Sequence, residues 1–205
     1  MRIPAVLNLE GPVIIFGGGE VGRRKVDYIL KFTDSVTVID EREVDLPEQA
    51  SLIVQRVDPS SLDELIPNGT SLVIAALDSE EINRAIAANC RNRGILVNVV
   101  DVPDPSTVLF QAISKAGDLT VSVTTSGRCP FLARKIRENF DGTLDTWEHW
   151  LEVLAPIREK LVGMNEKRRV LSEIYNDDVV TELVRCGQRE EAQKRAWEVY
   201  EHVRS

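Results

Sequence analysis

A glycine-rich segment follows the first apolar run of the chain. Residues 17–22 read GGGEVG, which matches GxGxxG, and they stand directly after Val13–Phe16 and before a helical pattern. In such a position Gly17 allows a tight turn, Gly19 lets a pyrophosphate approach the backbone, and Gly22 lets helix and strand pack closely. Amides at the start of the helix then face the phosphates. The segment predicts a dinucleotide site formed by Gly17, Gly18, Gly19, Glu20, Val21 and Gly22.

An acidic residue stands where it could bind the ribose of that dinucleotide. Asp40 ends the second apolar run, 18 residues after Gly22. Its carboxylate would accept hydrogen bonds from ribose hydroxyls and repel a 2′-phosphate, which favours NAD over NADP. Arg42 could instead pair with a 2′-phosphate, so NADP stays open, as does the alternative that the glycines only form a tight turn. Arg23 and Arg24 stand where a Walker-type phosphate loop has Lys-Ser/Thr, which excludes that kind of loop.

Two later segments carry candidate substrate groups. Asp101 follows the apolar run 95–100, at the sheet edge where open α/β folds bind ligands, although it could equally begin the turn before Pro103. Residues 124–137 combine a hydroxyl- and glycine-rich loop with a proline-started, cationic helix. This pattern predicts a carboxylate cradle, with helix capping and a solvated basic face as the alternative. The predicted substrate-binding residues are Thr125, Ser126, Arg128, Arg134 and Arg137.

Cysteine and histidine are too sparse for a metal centre. The three cysteines, Cys90, Cys129 and Cys186, are far apart and form no CxxC pair, and His149 and His202 are the only histidines. We therefore expect no metal site and a reducing, cytoplasmic location. No apolar run is long enough to cross a bilayer, and the N-terminal residues lack a secretory pattern.

Composition indicates a globular protein with an acidic surface. The chain has 205 residues, of which 43% are hydrophobic and 28% charged, and its formal net charge is −8. This charge argues against non-specific binding to nucleic acid or to an anionic membrane. A local cationic cluster could still serve an acidic ligand.

The elements that position these residues follow an α/β pattern in the first half of the chain. Five short apolar runs alternate with helical patterns, which is typical of a parallel sheet covered on both faces; they are 13–16, 35–40, 52–54, 72–76 and 95–100. The helix between the last two runs is predicted at about 79–92. We then expect two strands, 108–113 and 119–124, around a turn at Ser-Lys-Ala-Gly-Asp, and a helix at about 130–140.

The remaining residues predict helices only. Pro156 is expected to kink or restart the first of them, and the others are predicted near 166–175, 178–186 and 188–203. One face of the first helix is expected to pack through Leu144, Trp147, Trp150, Leu151, Leu154 and Leu161. The last helix is expected to pack through Ala192, Ala196, Tyr200 and Val203.

Several segments together resemble one family, the precorrin-2 dehydrogenases and the N-terminal modules of siroheme synthases. The resemblance covers residues 4–140 and depends on Ile3 to Leu9, GGGEVGRRK at 17–25, VNVVD at 97–101 with Pro103, and SGRCPFLAR at 126–134. It departs from the family at 108–111, which keeps only the phenylalanine of a Cys-x-Phe pattern, and at Thr125, which starts TSG in place of Ser-Gly-Gly.

The resemblance implies a homodimer that oxidises precorrin-2 to sirohydrochlorin with NAD, and in some members also inserts ferrous iron. It implies a Rossmann-type NAD-binding domain at 1–103, a dimerization and substrate-loop region at 104–142, and a helical domain at 143–205. It assigns the catalytic aspartate to Asp101. A non-catalytic NAD-sensing module remains the alternative from another class, because it would use the same glycine loop, and a purely structural interaction protein would leave that loop unexplained.

Overall fold

The computed structural model describes residues 4–100, 102 and 104–204. The chain forms two compact units, Met1–Phe110 and Gln111–Ser205. The finer division into a cofactor domain, a substrate-loop region and a helical domain stays a functional prediction.

The first unit contains a five-stranded parallel sheet, as predicted. Its strands are β1 (Val13–Phe16), β2 (Val36–Asp40), β3 (Ala50–Val54), β4 (Leu72–Ala75) and β5 (Leu96–Val99). They lie in the order β3-β2-β1-β4-β5, and every neighbouring pair is parallel. The third strand begins at Ala50, two residues before the predicted start, because it pairs with the whole of β2 from Val36 onward.

Both faces of the sheet are buried at its centre, which explains why β1 and β4 are wholly apolar. The edge strand β3 is more open, with Ile53 41% and Val54 52% exposed. Ile14 and Phe16 of β1 point into one hydrophobic cluster, whereas Val13 and Ile15 belong to a second cluster. Side chains alternate between the faces of a strand, so neighbouring residues supply different cores. Three helices accompany the sheet: α1 (Glu20–Ile29), the short and unpredicted α2 (Leu62–Leu65) and α3 (Glu80–Asn92).

The strand order reverses at β1 in a way that creates a ligand crevice. The chain passes from β1 outward to β2 and β3, then returns to the other side of β1 as β4. The helices that follow β1 and β4 begin at Glu20 and Glu80. In open α/β sheets the crevice outside the carboxyl ends of the strands at such a switch point is where ligands bind.

The first strand of the two-stranded region begins later than predicted. β6 (Ala112–Ala116) and β7 (Leu119–Val123) are antiparallel and joined by Gly117 and Asp118 alone. The predicted first strand at 108–113 is therefore wrong by about four residues at its start. Gly117 has φ +50°, and a glycine at the first position of a two-residue loop favours a tight hairpin. Residues 106–108 instead bond to β5.

The helices of the second unit lie close to their predicted positions. They are α4 (Pro130–Glu138), α5 (Leu144–Lys160), α6 (Lys167–Tyr175), α7 (Asp178–Arg185) and α8 (Arg189–Arg204). Pro156 lies inside α5, which continues through it, so the predicted restart is wrong. The stripe of α8 through Ala192, Ala196 and Tyr200 is buried, as predicted. Within the described residues, no helix combines the length and the apolar character that a membrane span requires.

The packing face of α5 is centred elsewhere than predicted. Val153 and Ile157 are buried beside Trp150, whereas Trp147 is 48% and Leu151 37% exposed. Residues 150, 153, 157 and 161 share one stripe at helical spacing. The two exposed residues lie at the margin of that stripe. The predicted packing face therefore included one exposed edge of the helix and missed Val153 and Ile157.

An acidic N-cap couples α7 to α8 and should make stability depend on pH. Asp177 accepts a hydrogen bond from the Val180 amide, and its second carboxylate oxygen accepts one from Arg195 at 2.8 Å. The Arg195 hydrogen bond is the main reason why the pKa of Asp177 lies below its ordinary value of 3.8. A lowered folded-state pKa contributes stability above the unfolded pKa, and the contribution is lost as pH falls through the folded pKa.

We expect Asp177→Ala to lower the free energy of unfolding by about 0.5–2 kcal/mol at neutral pH, the usual cost of losing an N-cap. Asp177→Asn keeps an oxygen for the Val180 amide and should lose less. Urea unfolding at neutral pH and at a pH well below the ordinary carboxyl pKa measures both. A deficit of the alanine variant that stays constant across that range would contradict this assignment.

Candidate active site

A cleft of about 220 Å³ opens at the carboxyl ends of β1, β2 and β4. Three predicted cofactor residues, Gly17, Gly19 and Asp40, line it. The cleft also includes the turn 76–79 between β4 and α3, and Arg56 after β3, which motif reasoning missed. Parallel strands place their carboxyl ends at one edge, so the residues after β3 and β4 could have been inferred from the strand pattern.

Two glycines of the motif are required by the protein's own packing. Gly17 has φ +96°, and a Cβ there would overlap the carbonyl oxygen of Ala76. A Cβ at Gly22 would overlap the carbonyl oxygen of Gly17. Gly22 therefore lets α1 approach the end of β1, as the sequence predicted.

Gly19 differs, because nothing in the structure explains its missing side chain. A Cβ there would meet no atom within 4 Å, and its φ of −65° suits any residue. Gly19 is the N-cap of α1, and no side chain caps that helix. Glu20 and Val21 form its first turn, where amide hydrogens point out of the helix and favour an anion. An open space in front of these amides fits a pyrophosphate.

Asp40 is buried and joins the end of β2 to the glycine loop. Its side chain is 7% exposed. One carboxylate oxygen accepts a hydrogen bond from the Gly18 amide at 2.7 Å, and the other accepts one from the Arg42 amide at 3.0 Å. The Arg42 side chain is 71% exposed, and its Nε lies 3.8 Å from the carboxylate. The acid is therefore held in place, with lone pairs remaining for a ribose.

The predicted catalytic residue, Asp101, lies outside the described residues. Its neighbours are described. The Val100 amide donates to the carbonyl of Ala75, the last residue of β4, at 3.0 Å. The chain thus leaves β5 beside the end of β4, at the same edge as the cleft.

The predicted substrate loop lies in the second unit, before α4. The Thr125 hydroxyl accepts a hydrogen bond from the Cys129 amide at 3.0 Å, and the Thr125 carbonyl accepts one from the Arg128 amide. Ser126 has φ +55°, an uncommon conformation for a residue with a side chain. Arg128 is exposed in this folded-back loop.

The two predicted cations of α4 have different surroundings. Arg134 is exposed. Arg137 donates to Asp141 at 2.8 Å, and the hydroxyl of the buried Ser114 donates to the other oxygen of the same carboxylate. Arg137 therefore ties α4 to β6 through Asp141, which follows it by four residues.

No cluster of three or more potential metal ligands occurs among residues 4–100, 102 and 104–204. The three cysteines are free, and Cys129 and Cys186 are exposed. Burial raises the pKa of the Cys90 thiol to about 11, which keeps it protonated and unreactive.

Comparison with known proteins connects this geometry to a family. A family model described as putative NAD(P)-binding matches residues 6–112. A siroheme synthase of Methylobacillus flagellatus is 33% identical over 202 residues, which is 93% of this chain and 42% of the relative. Siroheme synthase 1 of Serratia proteamaculans is 30% identical over 91% of this chain and 40% of the relative.

A solved structure of SirC, precorrin-2 dehydrogenase, shares the fold. It covers 96% of this chain and 100% of its own, with a TM-score of 0.67 and 18% sequence identity. The siroheme synthase relatives confirm the predicted resemblance, and the solved structure confirms the predicted fold class. The chain spans about two fifths of the length of the curated relatives it matches.

Proposed function

The chain belongs to the putative NAD(P)-binding family, and we propose that it is an NAD-dependent dehydrogenase that oxidises precorrin-2 to sirohydrochlorin. The observation that carries the proposal is the similarity to siroheme synthases over 93% of this chain. The cleft supports it, because the open N-terminus of α1 and the buried Asp40 fit a dinucleotide. No specific observation favours the non-catalytic sensing module.

The cofactor is a nicotinamide adenine dinucleotide, as the glycine motif predicts, and when bound it supplies a hydride acceptor. The protein contributes position and charge. Gly19 leaves room for the pyrophosphate in front of the α1 amides, and Asp40 accepts hydrogen bonds from the adenosine ribose. Gly17 and Gly22 keep the loop compact enough for this approach.

Asp101 is the proposed general base. Oxidation of a saturated bridging position removes a hydride, which goes to the nicotinamide, and a proton, which must go to a base before conjugation is complete. Both electrons of the broken C–H bond leave with the hydride, and the electrons of the bond that held the proton stay in the macrocycle, where they complete the conjugation. A carboxylate that follows β5 is proposed to take that proton.

The cations of the loop and α4 are proposed to bind the substrate's carboxylates. Precorrin-2 carries many carboxylates, whereas this protein has a net charge of −8, so local cations must overcome the overall repulsion. Arg128 and Arg134 are exposed, and guanidinium groups bind carboxylates in a bidentate way. Thr125 and Ser126 shape the loop that presents Arg128, whereas Arg137 is engaged with Asp141 and is proposed to support α4.

Incubation of the purified protein with precorrin-2 and NAD tests the proposed reaction, with each component omitted in turn. We expect NADH and sirohydrochlorin only in the complete mixture. A parallel incubation with ferrous iron tests for insertion by following formation of siroheme. NAD binding without NADH formation would favour the sensing alternative and contradict the proposal.

We predict that Asp40 determines the preference for NAD over NADP. Loss of its charge-assisted hydrogen bonds in Asp40→Ala should weaken NAD binding by about 1.5–3 kcal/mol, measured by calorimetric titration of both cofactors. Asp34→Ala is the matched control, because it removes an exposed carboxylate just before the opposite end of β2. Equal or tighter NADP binding by the wild type would overturn the assignment.

We also propose a homodimer that uses the region 104–142. The hairpin of β6 and β7 has two unpaired edges among the described residues, and natural folds tend to pair or cover such edges. On α4, Phe131 is 68%, Leu132 48% and Ile136 37% exposed. These apolar side chains together would suit an isologous contact between two copies.

Light scattering at micromolar concentration should therefore give the mass of a dimer. Phe131→Asp combined with Ile136→Asp should give a folded monomer, because a dimer would bury the new charges. Val162→Asp is the control, since Val162 is 69% exposed on another part of the second unit. A monomeric wild type would remove the proposal.

The three free cysteines support the cytoplasmic location that we also propose.

A further inference from the structure

One buried side chain holds the turn between β4 and α3. Asn83 lies near the start of α3 and is 6% exposed. Its side-chain nitrogen donates to the Leu77 carbonyl at 2.8 Å, and its side-chain oxygen accepts a hydrogen bond from the Leu77 amide at 3.2 Å. An asparagine can bind both groups because it carries a donor and an acceptor side by side. A single side chain therefore binds the whole backbone polar edge of Leu77.

The helix that carries Asn83 is itself anchored in the core. Ile86 and Cys90 of α3 are fully buried in the same hydrophobic cluster as Phe16 of β1. Side chains of a helix tilt towards its N-terminus, which lets Asn83 reach back to a residue six positions earlier. The position of Leu77 is therefore set by α3 and by the core beneath that helix.

The turn 76–79 forms one wall of the cleft and touches the glycine-rich motif. Leu77, Asp78 and Ser79 line the cleft together with Gly17. A Cβ at Gly17 would lie 3.2 Å from the Leu77 nitrogen, so the backbones of the turn and the motif are in close contact. A shift of Leu77 would therefore change the shape of the cleft beside the motif.

We propose that Asn83 is a positioning residue, which acts through Leu77 to hold the turn 76–79 in the shape that binds NAD. This role rests on the proposed function, because it takes the cleft as the cofactor site. When only a fraction of the molecules has a formed site, the apparent dissociation constant rises in inverse proportion to that fraction. The two hydrogen bonds of Asn83 keep that fraction high before the cofactor arrives.

Removal of both hydrogen bonds with little change in side-chain size tests the proposal. We expect Asn83→Leu to raise the dissociation constant of NAD about 5- to 30-fold, the factor that corresponds to the loss of one or two ordinary hydrogen bonds. Calorimetric titration well below the unfolding temperature measures it, and thermal unfolding shows that each variant is folded.

Thr70→Val is the matched control for loss of a buried hydrogen bond. Thr70 is also 6% exposed, and its hydroxyl donates to the Pro67 carbonyl at 2.8 Å. It precedes β4, which begins at Leu72, so it lies at the opposite end of that strand from the cleft. The control should lower stability and leave the dissociation constant of NAD unchanged.

Asn83→Asp makes the same contact depend on pH, and it serves also if Asn83→Leu does not fold. An ionised carboxylate can accept from the Leu77 amide but cannot donate to the Leu77 carbonyl, whereas the protonated acid can do both, as asparagine does. Burial is expected to raise the pKa of the introduced carboxyl. NAD affinity of this variant, relative to the wild type at the same pH, should therefore approach one as the pH falls through that pKa.

The outcomes separate this role from general stabilisation and from the proposed function. Equal NAD affinity of Asn83→Leu and the wild type would overturn the proposal, and so would a relative affinity of Asn83→Asp that does not change with pH. An equal loss of affinity in Thr70→Val would show that NAD binding only follows stability and would overturn it too. A wild type that does not bind NAD would instead contradict the proposed function.

Discussion

Asp101→Asn is expected to lower turnover of precorrin-2 by about 10²–10⁴-fold, the usual contribution of a positioned general base. Asparagine is nearly isosteric with aspartate but cannot take the proton that remains after hydride transfer. The affinity for NAD should not change, because the residues proposed to bind it follow β1 and β2. Steady-state NADH formation and calorimetric titration of NAD measure the two quantities separately.

The matched control is Asp104→Asn, which removes a carboxylate from an exposed side chain of the same segment. It should keep turnover close to that of the wild type. A purely structural Asp101 that begins the turn at Pro103 would tolerate asparagine, which is also a good turn residue. Activity of Asp101→Asn within about threefold of the wild type, far short of a general base's contribution, would identify this structural role.

The second large effect is expected from alanine at Gly19 and at Gly22 of the glycine-rich motif. One substitution should mainly weaken NAD binding, and the other should mainly lower stability. Gly19→Ala should lower thermal stability only slightly, because its Cβ meets no atom of the protein and the remaining cost is that of alanine in place of glycine at the N-cap. It should nevertheless weaken NAD binding by about 1–3 kcal/mol, the usual cost of overpacking, here against the pyrophosphate. Calorimetric titration and thermal unfolding of the same preparation measure both effects.

Gly22→Ala should instead lower the stability of the protein, and weaken NAD binding as a consequence. Its Cβ would overlap the carbonyl oxygen of Gly17, so α1 must move away from β1, and we expect a loss of unfolding free energy of about 1–3 kcal/mol or more. NAD binding then falls because the loop is distorted. Gly19→Ala with wild-type NAD affinity would mean that no ligand approaches this position and would contradict the assignment of the cleft.

The parallel sheet and its cofactor loop were predictable because local patterns determine them. Uninterrupted apolar runs indicate strands buried on both faces, and the spacing from Gly22 to Asp40 follows from one strand–helix–strand unit. The burial of Asp40 was not predictable in the same way. Its bond to the Gly18 amide joins residues 22 positions apart, and this contact depends on how β2 lies beside β1.

The errors of prediction have the same physical origin. The strand predicted at 108–113 satisfies β propensity, but tertiary bonds from Asn98 and the Val97 backbone hold its first residues beside β5. On α5, periodicity identified a packing face, yet which edge of that face is buried depends on the helices around it. The pairing of Arg137 with Asp141 is local, four positions apart, but the bond from Ser114 to the same carboxylate joins residues 27 positions apart and depends on tertiary packing.

The proposed function couples a dinucleotide cleft to oxidation of a tetrapyrrole. The most direct measurement follows NADH and sirohydrochlorin together after precorrin-2 is added to the wild-type protein with NAD, beside an identical mixture with Asp101→Asn. We expect the two products to form in equal amounts with the wild type and far more slowly with the variant. A wild type that binds NAD but yields no NADH with precorrin-2 would contradict the proposed function.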